Sequence, residues 1–163
     1  MAVDTTGNPP RVVIIGCGNP LRGDDGVGPV VIERLRARGV PPHVCLRDAG
    51  TGGVEVLDEI EGADRAIFVD ACRSGAVPGT ILERRAADLP SATGGGLNPH
   101  AFRWDHALAL ARELNDPTCP GEMTAYLIEG ANFAPGTGLS PAVDAAANEL
   151  VARLLTLLST PSR

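Results

Sequence analysis

Lysine is missing from this chain: all 14 basic residues among its 163 are arginine. That absence excludes several chemistries together, including the phosphate-gripping lysine of a Walker loop, a Schiff-base lysine and a kinase-type lysine. With 20 glycines and 14 prolines beside it, the arginine usage suggests GC-rich coding and so reports genome origin more than function. Positive charge is also thinly spread. Only Arg34, Arg36 and Arg38 cluster, at an expected helix end, and the net charge is −6. A nucleic-acid partner, which needs a concentrated basic face to neutralise phosphates, is therefore not expected.

Cysteine is sparse and scattered. Cys17, Cys45, Cys72 and Cys119 form no CxxC pair, so no structural zinc site is written, and isolated thiols read as reduced, small core residues. No apolar run approaches the roughly 20 residues of a membrane span, and residues 1–10 are polar, without a hydrophobic signal segment. A cytoplasmic protein with no membrane insertion is the expectation.

What is present describes one globular unit. Hydrophobic residues make up 44% and charged residues 21%, and the length suits a single domain with a substantial core. Arg11 to Cys17 (RVVIIGC) is a β-branched run ending in glycine, the pattern of a strand buried on both faces. A glycine-rich loop over 18–26 precedes a helical spacing of Val27, Val30, Val31 and Leu35, with Pro29 suited to the first turn and Gly39 to the stop. The pattern recurs as a strand over 43–47, a loop from Asp48, a short helix over 54–60 and a strand over 65–69 that ends at Asp70. Thr80 to Glu83 reads as a short edge strand, 86–99 as a loop and lid candidate, 100–114 as a helix, 123–129 as a strand and 141–158 as a final helix. Alternating strands and helices predict a single three-layer α/β domain over 11–159, with a mostly parallel, twisted sheet of about five strands flanked by helices. Residues 1–10 are expected to form a disordered tail and 160–163 a short one.

In open parallel sheets ligands bind beyond the carboxyl ends of the strands. Asp25 follows the first strand, Asp48 ends the second and Asp70 ends the third, so three carboxylates share one edge whatever the strand order. His100, in Asn98-Pro99-His100 at a helix start, can fold over that edge. Two carboxylates and an imidazole converging on one point would suit a divalent metal or hydrolysis.

Plainer roles compete for each residue. Asp24 or Asp25 can cap the helix that begins near Pro29, although two adjacent acids exceed what one cap requires. Asp48 can simply close the turn before Gly50. Asp70 is harder to dismiss, because a carboxylate ending an apolar strand is costly to desolvate without a partner. His43 reads as a surface or edge residue and His106 as structural. Gly16-Cys17-Gly18 opens a dinucleotide fingerprint, but the third glycine falls on Leu21, so no nucleotide cofactor is expected.

The segments IIGCGNPLRGDDGVGPVVIERL (Ile14 to Leu35), RDAGTGGVEVLDEIEGAD (Arg47 to Asp64), AIFVDACRSGAVPGTI (Ala66 to Ile81), LNPHAF (Leu97 to Phe102) and GLSPAVDAAANEL (Gly138 to Leu150) together resemble the hydrogenase maturation endopeptidases. The resemblance covers nearly the whole chain. It implies an endopeptidase that removes the C-terminal extension of the large-subunit precursor of a nickel–iron hydrogenase once nickel is inserted. It implies metal contacts from Asp25, Asp70 and His100, the residues that sheet geometry had already singled out, and a helper role for Asp48 in positioning or catalysis. The implied metal is nickel supplied by the precursor, so the protein partner is that precursor. Asp25 stands where many relatives carry glutamate, and N-P-H replaces the usual S-P-H, so substrate preference transfers least. A non-catalytic maturation chaperone on the same scaffold and a nucleotide-binding α/β protein are the competing readings.

Overall fold

The computed structural model describes residues 10–53, 55–85, 88, 104–113 and 116–160. Five strands, β1 (Val12–Cys17), β2 (Val44–Gly50), β3 (Arg65–Cys72), β4 (Ile81–Arg85) and β5 (Glu122–Glu129), form one sheet in the order β2-β1-β3-β5-β4. β1 pairs in parallel with β2 and β3, and β3 with β5, while β4 closes the far edge antiparallel to β5. The expected fold class is the observed one. All six residues of β1 are buried, as its unbroken apolar run requires of a central strand.

The twofold alternation of the strands divides the core into two layers. Val12, Ile14, Ile67, Val69 and Ile128 face α1 (Val27–Arg38) and α4 (Pro141–Ser159). Val13, Ile15, Phe68 and Ala125 face α2 (Val56–Ile60) and α3 (Trp104–Glu113). The fatty stripe of α4, Val143, Ala147, Leu150, Val151, Leu154 and Leu158, is buried along its length. Pro141 opens that helix as its type predicts, filling a first-turn position that has no intrahelical N–H bond to lose, while the Ser140 hydroxyl before it donates to Asp24 rather than capping the helix.

Differences from the sequence reading lie at element ends. β2 continues to Gly50, past the expected stop at Arg47, because a bulge opposite Gly16 and Cys17 lets Gly50 still pair with Cys17. Thus Asp48 lies inside the strand rather than after it. Of the helix expected over 100–114, residues 104–113 are helical and the remainder lie outside the described residues, as does the lid candidate over 86–99 apart from Asp88. None of the four cysteines is in a disulfide among the described residues, and among those residues no helix is long and apolar enough to cross a membrane.

Helix α1 presses on the sheet through two glycines. A Cβ on Gly28 would sit 2.2 Å from the Cys17 carbonyl oxygen and 2.6 Å from that of Val69, and one on Gly16 would sit 2.4 Å from the Gly28 carbonyl oxygen. These obstacles are backbone, which cannot turn aside as a side chain can. Gly28→Ala should therefore destabilise the fold by about 3 kcal/mol, the upper part of the overpacking range, as read from urea-denaturation midpoints.

Candidate active site at the carboxyl end of the sheet

The strand order puts a reversal between β1 and β3. From β1 the chain moves outward through α1 to β2, and it then returns past β1 to build β3 and the other half of the sheet. Loops leaving two such strands diverge, and the crevice that holds a ligand in open parallel sheets is expected beyond their carboxyl ends. Asp25 lies in the 3-10 turn after β1, Gly23–Gly26, and Asp70 lies near the end of β3, so these two acids flank the crevice.

Gly18 is where they meet. Its φ of +129° suits glycine, and a Cβ there would sit 1.8 Å from the Asp25 carbonyl oxygen and 3.6 Å from Asp70 Oδ1. The Gly18 N–H donates to the Gly50 carbonyl at 2.7 Å, and the Gly50 N–H donates to Asp48 Oδ1 at 2.9 Å. One glycine thus touches the segments that carry Asp25, Asp48 and Asp70. Asp48 takes the turn-closing role that its place before Gly50 offers.

Neither Asp24 nor Asp25 caps a helix through its side chain, so the capping reading is replaced by other partners. Asp25 Oδ2 accepts the Asn19 N–H at 2.9 Å. Asp70 is buried, with Oδ1 accepting the Ala71 N–H at 2.8 Å and Oδ2 accepting the indole Nε1–H of Trp104 at 2.8 Å. Trp104 is itself stacked on Phe68, the rings 4.6 Å apart and 4° from parallel, so α3 sets the direction of a β3 carboxylate through a rigid indole. His100 lies outside the described residues, as does the side chain of His106. Among the described residues no group of three His, Cys, Asp or Glu side chains gathers at one metal-binding point.

Residues 29–157 match the family described as hydrogenase maturation protease. The chain belongs to that family. It is 28% identical over 150 residues to the hydrogenase 2 maturation protease of Escherichia coli (strain K12), covering 91% of this chain and 90% of that one. It is 34% identical over 118 residues to the hydrogenase expression/formation protein HupD of Rhodobacter capsulatus, covering 71% of this chain and 55% of HupD. The solved structure of the hydrogenase maturating endopeptidase HybD from E. coli superposes with a TM-score of 0.78 at 28% identity, covering 91% of each chain. Membership in a protease family does not favour a chaperone without activity.

In this maturation protease, two buried acids outside the expected set, Asp24 and Glu129, tie together the loops at this end of the sheet. By sequence Asp24 is a candidate helix cap, one of two adjacent acids where one cap suffices, but its carboxylate accepts the N–H groups of Ala131, Asn132 and Ser140 at 2.7–2.9 Å and the Ser140 hydroxyl at 2.9 Å. Burial alone would raise its pKa, but the hydrogen bonds from Ser140, Asn132 and Ala131 outweigh that and hold it below the usual carboxylate value. The loop after β5 is thereby tied to the loop after β1. Glu129, at the end of β5, accepts from the Ser74 hydroxyl at 2.7 Å, the Ser74 and Gly75 N–H groups and Cys72 Sγ. It ties the loop after β3 in the same way. The sequence signal was available: like Asp70, Glu129 is an acid ending an apolar strand.

The Ser74 hydroxyl first, then the Ser74 N–H, draws the Glu129 carboxyl from an ordinary 4.5 down to about 2. Burial first, then the hydrogen bond to Glu129 and its charge, pushes the Cys72 thiol up to about 11, so at neutral pH it remains a donor. A carboxyl with a depressed folded-state pKa stabilises fully above its unfolded value and loses that contribution as pH falls through the folded one. Acid should therefore remove the Glu129 contribution between pH 4.5 and about 2. Glu129→Gln should lower stability at neutral pH and flatten the decline across that window, which urea melts at a series of pH values would reveal.

Proposed function

We propose that this chain is an endopeptidase that removes the C-terminal extension of the nickel-loaded large-subunit precursor of a nickel–iron hydrogenase, with Asp25, Asp70 and His100 meeting the precursor's nickel. The observation that carries the reading is the approach of the Asp25 backbone and the Asp70 carboxylate to Gly18, where β1 and β3 part at the carboxyl end of the sheet in a hydrogenase maturation protease. Carboxylate and imidazole donors suit a divalent first-row ion such as nickel. Nickel enters as part of the substrate, and a protease that contacts it there can distinguish loaded from empty precursor.

At a scissile bond such an ion would polarise the carbonyl or lower the pKa of water. The protein contributes direction. Trp104 Nε1–H and the Ala71 N–H fix Asp70 from two sides, and the Asn19 N–H fixes Asp25 Oδ2 while Oδ1 takes no hydrogen bond from the described residues. That second oxygen is the one left to face the ion or the attacking water. Asp48, held to Gly50 beside the same crevice, is placed to help position the peptide.

Incubation of the purified chain with nickel-loaded precursor should shorten the large subunit, as read by intact-protein mass spectrometry, and nickel-free precursor should stay whole. No mass loss from loaded precursor would defeat the protease reading. Asp70→Ala and His100→Ala should each abolish processing with an unchanged circular dichroism spectrum; retained cleavage by either would remove that residue from the site. Trp104→Phe keeps a ring against Phe68 but deletes the donor to Asp70, and kcat should fall about tenfold to a hundredfold, the usual effect of losing a partner behind a metal-contacting group.

A further inference from the structure

Arg73 follows β3 three residues beyond Asp70, and its guanidinium lies 4.2 Å over the centre of the Phe133 ring. The side chain is exposed, and among the described residues no acid stands within ion-pair distance of it. The chain has a net charge of −6 and two acids flanking the same crevice, so a peptide carboxylate arriving there meets repulsion unless a cation offsets it. Arg73 is such a cation, and among the described residues its charge is not spent on a neighbouring acid.

Its position is fixed from both sides. Glu129 binds Cys72, Ser74 and Gly75, the residues bracketing Arg73, and so holds the backbone from which the side chain springs. Phe133 occupies the space where a Cβ on Gly130 would clash with its ring at 2.3 Å, and Asp24 holds the neighbouring Ala131 and Asn132. A guanidinium lying on a ring keeps its N–H edge in plane and available for the two oxygens of a carboxylate. Because both platform loops are already anchored, little ordering entropy remains to be lost on binding. Leu21 and Val77, 63% and 77% exposed, stand on loops at this end of the sheet and offer apolar contact to a peptide, which a free anion would not use.

We infer that Arg73, seated on Phe133, is a specificity-determining residue that binds a carboxylate of the precursor's extension. The inference rests on the protease reading above. The carboxylate belongs either to the extension's C-terminus or to an Asp or Glu side chain within it.

The test uses nickel-loaded precursor in three forms: unaltered, amidated at the C-terminus, and with the acids of the extension changed to their amides. With unaltered precursor, Arg73→Gln should raise KM about tenfold or more with kcat within about twofold, the scale of one charge-assisted contact. Arg73→Lys, which keeps the charge without the fork, should recover part of the loss, and Phe133→Leu should show a smaller rise in KM. One of the two altered precursors should show the same KM defect with the wild-type chain and no further defect with Arg73→Gln, which names the carboxylate. An unchanged KM for Arg73→Gln, or equal losses on all three forms, would overturn the inference. Calorimetric binding separates the two levels: a wild-type chain that binds loaded precursor without cutting it defeats the protease reading alone, whereas Arg73→Gln binding as tightly as wild type defeats this inference alone.

Discussion

The absence of a side chain at position 18 is the constraint on which the crevice depends. The backbone there runs at φ +129°, the Asp25 carbonyl fills the volume a Cβ would need, and Asp70 Oδ1 lies just beyond. Any larger residue would push the loop after β1 away from the end of β3 and separate the two acids. The same glycine accepts no compromise on its other side, since its N–H is committed to Gly50 and through it to the segment carrying Asp48. Gly16 and Gly28 extend the principle inward, letting α1 settle against β1 closely enough that the turn holding Asp25 comes over the crevice.

Asp24, Glu129, Asp25 and Asp70, four of the acids at this end of the sheet, divide into two kinds by how many backbone donors they receive from the described residues. Asp24 and Glu129 are each saturated by three or four donors, among them backbone N–H groups of the loops they join. They act as fasteners between loops, and their charges are stabilised well enough that both pKa values fall. Among the described residues Asp25 takes one bond, at Oδ2, and Asp70 takes a backbone N–H and an indole N–H that aim it. Residue type does not separate these roles; the local supply of donors does.

Arg73 extends this division of labour outward. The Glu129 fastener fixes its backbone and the Asp24 fastener holds the loop bearing Phe133 beneath its guanidinium, so the acids buried under the rim shape the cation exposed on it.

Much of this was legible in the sequence. Unbroken apolar runs such as Val12–Cys17 and Arg65–Val69, alternating with helical spacings, specify buried parallel strands, because hydrophobic period and burial are local properties of the chain. The acids at strand ends were visible for the same reason. The bulge that carries β2 past Asp48, the exchange of capping for cross-loop anchoring at Asp24, and the indole that aims Asp70 from α3 were not legible, since each joins segments far apart in the chain. By itself the sequence determined the α/β class, the single core and the edge on which Asp25, Asp48 and Asp70 fall. Only the tertiary structure decided which acids fasten distant loops and which do not, because hydrogen-bond donors from those loops reach a carboxylate only after the sheet has set their order.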